Sequence, residues 1–213
     1  EKSFEVDRAC VEIQIRELIR SCEEVTGQKF DIDKLRQTMS YANEMSASWE
    51  RVLDLNKSCP SVFNALTDGT IFLGVANAFR GTEAGAKYFA NLVEEMEYKV
   101  ANGIGTVANE QHRLTFVGVP CYPIFRRFNE LFSTWGGTFI NSTYLWFASG
   151  GTNCGYQYDL NDPIRGLAEG VLLSVRDAMD AMFDQTTMIR DSIEKFNIDG
   201  VIYHPIKSCR TVS

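Results

Sequence analysis

The sequence has few of the residues from which metal and nucleophile sites are built. It contains only two histidines, His112 and His204, and its six cysteines form no CxxC pair. A zinc site made by this chain alone would need several distant cysteines to come together, so we expect none. The patterns GxGxxG, GxxxxGK[ST] and GxSxG are also missing, which excludes the common nucleotide-binding and α/β-hydrolase fingerprints.

Long apolar runs and an excess of positive charge are absent as well. No stretch approaches about 18 uninterrupted apolar residues, which predicts that the chain does not cross a membrane. The net charge of −7 and a pI near 5.0 argue against nucleic acid or an anionic membrane surface as the main partner. The first residues lack the apolar core of a secretory signal, so we expect a cytoplasmic protein with reduced cysteines.

Helical patterns dominate residues 1–110. Gly27 is expected to end the first helix, Asp31 or Asp33 to cap the second, and Thr82 to start the fourth. Between them, an apolar stretch over 62–79 is expected to be interrupted at Asp68–Gly69. The polar, glycine-containing tract 103–111 is the predicted domain boundary.

Residues 111–213 predict an α/β domain. Strands are expected near 113–119, 138–141 and 199–204, with a helix over 124–135, a long loop over 142–159 and helices after Pro163. Strands that alternate with helices form parallel sheets with right-handed crossovers. The fold class is therefore α/β, with an open, doubly wound parallel sheet of the Rossmann or flavodoxin-like kind.

The chain is expected to be a piece of a longer protein. It begins at Glu1 rather than Met, and it stops at Ser213, where the loop after the third strand should lead into a covering helix. Three parallel strands alone leave one edge and one face of the sheet uncovered. The predicted α/β domain is thus expected to be truncated.

Ligands of open α/β sheets bind outside the carboxyl ends of the strands, and the three loops expected there each contain one cysteine. These are Cys121, Cys154 and Cys209. Either they hold an iron–sulfur cluster together or their placement is coincidental, and coincidence is the simpler interpretation. Cys209 is the best placed, because the charges of Lys207 and Arg210 favour its thiolate.

Other residues are weaker candidates. His204, at the end of a strand, can relay protons or serve as a hydrogen-bonded structural residue. Arg80 precedes the helix that starts at Thr82, where it either binds a phosphate or is an ordinary surface arginine. Arg126 and Arg127 lie together in a helix; at least one should face solvent, and no role follows from the pattern.

Four segments together resemble one family. They are Val-Thr-Gly-Gln-Lys-Phe-Asp-Ile-Asp-Lys-Leu-Arg (25–36), Ala-Phe-Arg-Gly-Thr (78–82), Asp-Leu-Asn-Asp-Pro (159–163) and Asp-Gly-Val-Ile-Tyr-His-Pro-Ile-Lys-Ser-Cys-Arg (199–210). The chain resembles the benzoyl-CoA reductase and 2-hydroxyacyl-CoA dehydratase family, in the same order over nearly its whole length. Within that family it is most similar to the B-type catalytic subunits of ATP-dependent reductases, and the Phe-Arg-Gly-Thr segment favours that branch.

The resemblance implies a catalytic chain about twice as long, with two α/β domains joined by helices. Residues 1–110 would be the helical connector, and 111–213 part of the second domain. In this family three cysteines hold a [4Fe-4S] cluster, and Cys209 matches the ligand from the second domain. Cys121 and Cys154 match no ligand position, so the resemblance removes the three-loop cluster from consideration.

The implied reaction is the ATP-dependent reduction of the aromatic ring of benzoyl-CoA, or a close analogue, to a cyclic dienoyl-CoA in anaerobic aromatic degradation. The implied partners are a second catalytic subunit of the same family, ATP-hydrolysing subunits that activate electrons, and reduced ferredoxin. ATP would bind to those partners and not to this chain. Breaking aromaticity needs a strongly reducing electron and a dry pocket.

The aromatic segment from Tyr144 to Tyr158 is expected from its composition to help build that pocket. The candidate substrate-binding residues are Tyr122, Tyr144, Trp146 and Arg80, and His204 is the candidate catalytic residue. Two alternatives stay open: a 2-hydroxyacyl-CoA dehydratase subunit, and a non-catalytic structural subunit of the same fold.

Overall fold

The computed structural model describes residues 2–148, 156–183 and 185–205, and four helices form its first half. They are α1 (Lys2–Thr26), α2 (Ile32–Leu55), α3 (Thr67–Ala78) and α4 (Glu83–Ala101). Asp31 caps α2, since its carboxylate accepts the backbone N–H groups of Asp33 and Lys34. Thr82 caps α4 by accepting the N–H of Gly85. The predicted starts of both helices are confirmed, with Asp31 chosen over Asp33.

Three parallel strands follow, with helices between them. In chain order the elements are β1 (His112–Gly118), a short 3-10 helix (Tyr122–Ile124), α5 (Phe125–Ser133), β2 (Gly137–Ser142), α6 (Thr143–Ala148), α7 (Pro163–Phe183), α8 (Gln185–Phe196) and β3 (Gly200–His204). The sheet order is β2-β1-β3, and both pairings are parallel. The predicted α/β class with an open parallel sheet is confirmed.

Two details of the sequence prediction are wrong. The stretch 62–79 is not a helix broken at Asp68–Gly69; instead α3 begins at Thr67, and both residues lie in its first turn. The side chain of Asn64 starts that helix by accepting the N–H groups of Leu66 and Thr67. In addition, the predicted loop over 142–159 begins with α6, a short apolar helix whose Leu145 is buried.

One hydrophobic core joins the helices to the sheet. Trp49 of α2 packs edge-to-face on Phe72 and Phe89, and Phe116 and Phe139 of the sheet belong to the same cluster of buried side chains. Residues on both sides of the predicted boundary therefore share a core, and the division at residue 110 stays a prediction. None of the helices in the described ranges is long and apolar enough to cross a membrane.

The free edge of β2 is covered by the chain that follows α2. Ala65 donates its N–H to the carbonyl oxygen of Phe139 at 2.7 Å. The amide of Asn56, which is fully buried, donates to the carbonyl oxygen of Ile140 at 2.7 Å and accepts the N–H groups of Val62 and Phe63. These bonds satisfy an edge that would otherwise expose unpaired backbone groups.

Arg113, at the start of β1, ties the sheet to the ends of two helices. Its guanidinium donates to carbonyl oxygens at the C-terminal ends of both helices. Three belong to the residues that follow α2, Asn56 at 3.2 Å, Lys57 at 3.4 Å and Ser58 at 3.0 Å, and the fourth is that of Phe196, the last residue of α8, at 3.1 Å. Carbonyl groups at helix ends have no partner within the helix and carry partial negative charge. One buried cation therefore satisfies both helix ends.

Glu110 balances the charge of Arg113. The two residues form an ion pair. The side chain of Glu110 is 4% exposed and that of Arg113 is 9% exposed. The second carboxylate oxygen of Glu110 accepts the backbone N–H of Ser61 at 2.7 Å and its hydroxyl at 2.5 Å. Because every charge here is paired and hydrogen-bonded, removing one partner leaves a buried charge uncompensated.

We therefore expect Arg113→Met to lower the free energy of unfolding by about 3–5 kcal/mol, measured by urea denaturation. The matched control is Arg51→Met, which removes a pair with Glu97 at 2.8 Å in which both side chains are about half exposed. That change should cost less than about 1 kcal/mol. Equal losses for the two variants would contradict the role assigned to Arg113.

Candidate functional site

The carboxyl edge of the parallel sheet is the candidate ligand-binding region. From the central strand β1 the chain crosses to β2 on one side and later returns to β3 on the other. Open α/β sheets bind ligands outside the carboxyl ends of their strands, so this edge is the candidate site. The described residues at this edge are those of 119–124, the start of α6, and His204 with the residue that follows it.

Gly118 brings β3 close to β1 at this edge. Its φ of +111° is in the region that favours glycine, and a Cβ there would overlap the carbonyl oxygen of His204. The N–H of Gly118 donates to the hydroxyl of Thr143 at 3.0 Å, which links β1 to α6 as well. Neither role was predicted from the sequence, although a glycine at the end of a buried strand is a signal of close backbone approach.

His204 is held in one orientation. Its Nδ1 lies 2.7 Å from the carbonyl oxygen of Val119, and its ring lies 6.1 Å from the ring of Phe116. A carbonyl oxygen only accepts, so Nδ1 carries the proton of this bond. Nε2 makes no hydrogen bond to the described part of the chain, and the imidazole is half-buried.

Tyr122 and Tyr144 meet at the same edge, one after β1 and the other after β2. Their ring centres are 6.0 Å apart, and the planes are inclined at 77°. Burial, followed by the hydrogen bond to Tyr144, raises the pKa of Tyr122 above the usual range, so its phenol stays protonated. Two of the predicted substrate-binding residues are therefore in contact. The backbone of Trp146 is in α6, and its side chain is outside the described part.

Cysteine placement at this edge is partly described. Cys121 is a half-buried free thiol in the loop after β1, whereas Cys154 and Cys209 lie outside the described residues. Within the described ranges, no group of three or more His, Cys, Asp or Glu side chains is arranged to hold a metal ion. The described side chains alone therefore do not fit an iron–sulfur cluster, and Cys209 stays a predicted ligand.

Ser142 is a polar residue at this edge that the sequence did not single out. It ends β2, is 1% exposed, and its hydroxyl has no hydrogen-bond partner in the described ranges. Serine at a strand end is too common a pattern to predict such a position. An unpaired buried hydroxyl is unfavourable.

Arg80 lies at the other end of α3 from the part of that helix that contacts α6. It is exposed after the end of α3, next to Gly81, which packs against Thr38 of α2. The start of α3 is the part that contacts α6, through Gly69 and Leu145. Ala78, the last residue of α3, is about 13 Å along the helix from Gly69 at a rise of about 1.5 Å per residue, and Arg80 follows it.

The two ends of the aromatic segment from Tyr144 to Tyr158, which was expected to build one pocket, pack against different parts of the structure. Tyr144 contacts Tyr122, but Tyr156 and Tyr158 pack on α7, where Gly170 leaves room for both rings. The backbone of Tyr158 forms two hydrogen bonds with the side chain of Asn43 of α2, at 2.7 and 3.0 Å. This part of the segment joins α2 to α7, and the described contacts do not bring it to the candidate site.

Comparison with known proteins identifies the family. The model of the 2-hydroxyglutaryl-CoA dehydratase D-component family matches residues 3–213. The chain belongs to that family. It is 29% identical to the B-subunit of benzoyl-CoA reductase of Thauera aromatica over 204 residues, which cover 92% of this chain and 46% of the relative.

Dehydratase subunits are similar relatives. The chain is 31% identical to the α subunit of (R)-2-hydroxyglutaryl-CoA dehydratase of Acidaminococcus fermentans over 199 residues, which cover 92% of this chain and 39% of the relative. It is 27% identical to the α subunit of (R)-phenyllactyl-CoA dehydratase of Clostridium sporogenes, covering 94% and 46%. The chain thus spans less than half the length of these curated relatives. The predicted resemblance is confirmed at the level of the family.

Gly118→Ala should destabilise the 2-hydroxyglutaryl-CoA dehydratase D-component fold by at least about 2 kcal/mol, because a Cβ would strain the backbone and push β3 from β1. Amide hydrogen exchange of β3 should accelerate with it. Gly74→Ala in α3 is the control, since a Cβ there meets nothing within 4 Å, and it should be neutral or stabilising by up to about 1 kcal/mol. Unchanged protection of β3 in Gly118→Ala would contradict this geometry.

Tyr156 should make stability depend on pH in the alkaline range. Burial, and then the charges of Glu169, Tyr158 and Asp159, raise its pKa from 10.0 to about 12. A raised pKa means that its contribution is complete below pH 10 and is lost as the pH rises through about 12. Tyr156→Phe should therefore lose less stability than the native chain between these pH values, measured by urea denaturation. Tyr98→Phe, at an exposed tyrosine, is the control, and a matching change in that variant would refute the assignment.

Proposed function

We propose that the chain is part of the iron–sulfur catalytic subunit of an ATP-dependent, ferredoxin-linked reductase that converts benzoyl-CoA, or a close analogue, to a cyclic dienoyl-CoA. The supporting observation is the family match over residues 3–213 together with the likeness to the B-subunit of benzoyl-CoA reductase. The aromatic residues at the carboxyl edge of the sheet agree with an aromatic acyl substrate.

Tyr122 and Tyr144 are the residues proposed to contact the acyl group. Their rings already pack edge-to-face, and a planar ring placed against them would form aromatic contacts of the same kind. Aromatic rings of this kind can line a pocket from which water is excluded. Trp146, two residues further along α6, is proposed to belong to the same wall.

His204 is proposed to exchange a proton with the substrate. Ring reduction adds two electrons and two protons, so an acid must be within reach of the substrate. With Nδ1 fixed on the carbonyl of Val119, the second nitrogen of the imidazole can take up and release a proton without moving the ring. The ring therefore keeps a defined orientation during transfer.

Cys209 is proposed as a ligand of a [4Fe-4S] cluster, with the remaining ligands outside this chain. A bound cluster would supply one-electron transfer at low potential. Further partners follow from the same proposal: a second catalytic subunit of the family, ATP-hydrolysing subunits that bind the ATP, and reduced ferredoxin as the electron donor.

A dehydratase subunit is the second candidate, and the 31% identity to the α subunit of (R)-2-hydroxyglutaryl-CoA dehydratase favours it. Both activities act on acyl-CoA thioesters according to the names of the relatives. The reactions differ in their outcome, because one reduces a ring and the other removes water. Product analysis therefore separates them.

The test uses the native complex that contains the full-length subunit, purified without oxygen. We expect bound iron and sulfide, and ATP-dependent formation of a cyclic dienoyl-CoA from benzoyl-CoA with reduced ferredoxin as donor. Clusters without ring reduction, but with dehydration of a 2-hydroxyacyl-CoA, would move the assignment to the dehydratases. The absence of a cluster from an intact, anaerobic complex would refute both.

In the same complex, Cys209→Ala should lower the iron content and abolish ring reduction, because the cluster loses a thiolate ligand. Cys22→Ala is the matched control, since Cys22 is an exposed free cysteine of α1, and it should retain both. Full iron content and activity in Cys209→Ala would support a non-catalytic subunit that kept the fold.

A further inference from the structure

Two adjacent arginines in the first turn of α5 have no counter-charge in the described ranges. Arg126 and Arg127 are both exposed, and neither forms a hydrogen bond or an ion pair with the part of the chain that the structure describes. Several arginines elsewhere are paired with carboxylates, such as Arg51 with Glu97 at 2.8 Å. In a chain with a net charge of −7, the two arginines form a local concentration of positive charge.

Folding does not explain the pair. The first turn of a helix carries partial positive charge, so cations there are unfavourable. α5 has no acidic residue in its first turn and no side-chain cap. Glu130 is four residues after Arg126 on the same helix, yet its carboxylate does not pair with either guanidinium in the structure. The two arginines break a local rule without a compensating contact, which is typical of functional positions.

The arginines lie beside the candidate site. α5 begins at the carboxyl edge of the sheet, directly after the 3-10 helix that contains Tyr122. Tyr122 is four residues before Arg126 and contacts Tyr144 across the edge. The chain thus offers, within one short segment, an aromatic pair that is partly buried and two guanidinium groups in solvent.

We propose that Arg126 and Arg127 bind the phosphate groups of the CoA part of an acyl-CoA thioester. This inference rests on the proposed function and adds the residues that recognise the nucleotide end of its substrate. Guanidinium groups bind phosphate through paired, charge-assisted hydrogen bonds. Exposure suits this end of the ligand, because the diphosphate and the 3′-phosphate stay hydrated while the acyl group enters the dry pocket.

The first test measures binding without turnover. Isothermal titration of CoA into the anaerobic complex should show about a tenfold weaker affinity for the double variant R126A/R127A. R126K/R127K keeps the positive charge but lacks the paired donors of the guanidinium groups. Its affinity for CoA should lie between that of the native complex and that of R126A/R127A. Arg20→Ala is the control: Arg20 is exposed on α1 and likewise has no partner in the described part, and its loss should leave CoA binding unchanged.

The second test uses a substrate without phosphates. The KM for benzoyl-CoA should rise about tenfold in R126A/R127A, whereas the KM for S-benzoyl-pantetheine should not change, because that thioester lacks the groups the arginines bind. Thermal unfolding of the variant should be unchanged or slightly raised, since two cations leave the first turn of a helix.

Unchanged CoA affinity in a correctly assembled R126A/R127A complex would overturn the inference. Unchanged CoA affinity with weaker subunit assembly would also overturn it and would assign the arginines to a protein contact. Failure of the proposed function is a separate result: if the native complex dehydrates 2-hydroxyacyl-CoA and does not reduce benzoyl-CoA, the loss of CoA affinity in the variant still supports the arginine site.

Discussion

The buried guanidinium of Arg113 is the constraint on which the arrangement of helices and sheet depends. It donates hydrogen bonds to carbonyl oxygens at the C-terminal ends of α2 and α8, and it is paired with Glu110. Glu110 in turn accepts a hydrogen bond from the backbone N–H of Ser61. A cation in this position is costly to bury unless all its donors are used. The network therefore tolerates few alternatives, and it fixes where α2 and α8 end relative to the first residue of the central strand.

Arg113 fixes the first end of β1, and the candidate site lies at its other end. Gly118 lets β3 approach, Val119 orients His204, and Thr143 ties α6 to the same strand. Groups that must be held in a defined geometry are best placed at the ends of rigid elements. The amino edge of the sheet is therefore stabilised by satisfied charges, whereas the carboxyl edge retains groups with free capacity among the described residues, such as Nε2 of His204 and the hydroxyl of Ser142.

Local signals were sufficient for most of the fold, because caps such as Asp31 and Thr82 act within three residues of themselves. The parallel sheet followed from the alternation of strands and helices. The contacts of Arg113 could not be predicted, since its partner Phe196 is 83 residues away and no local pattern specifies that distance. The aromatic segment was only partly predicted: composition favoured a pocket, but Asn43 holds the backbone of Tyr158 on α2, away from Tyr144.

The distribution of paired and unpaired charge separates what folds this chain from what it does. Where a cation stabilises the fold, as at Arg113, the structure supplies a carboxylate and several carbonyl oxygens for it. At Arg126 and Arg127 the described part of the chain supplies none, and the helix to which they belong disfavours them. Either residue could be replaced without the loss of a described contact. The phosphates of the proposed acyl-CoA would supply an anion from outside the fold, because α5 begins at the carboxyl edge of the sheet, where the acyl group is proposed to bind.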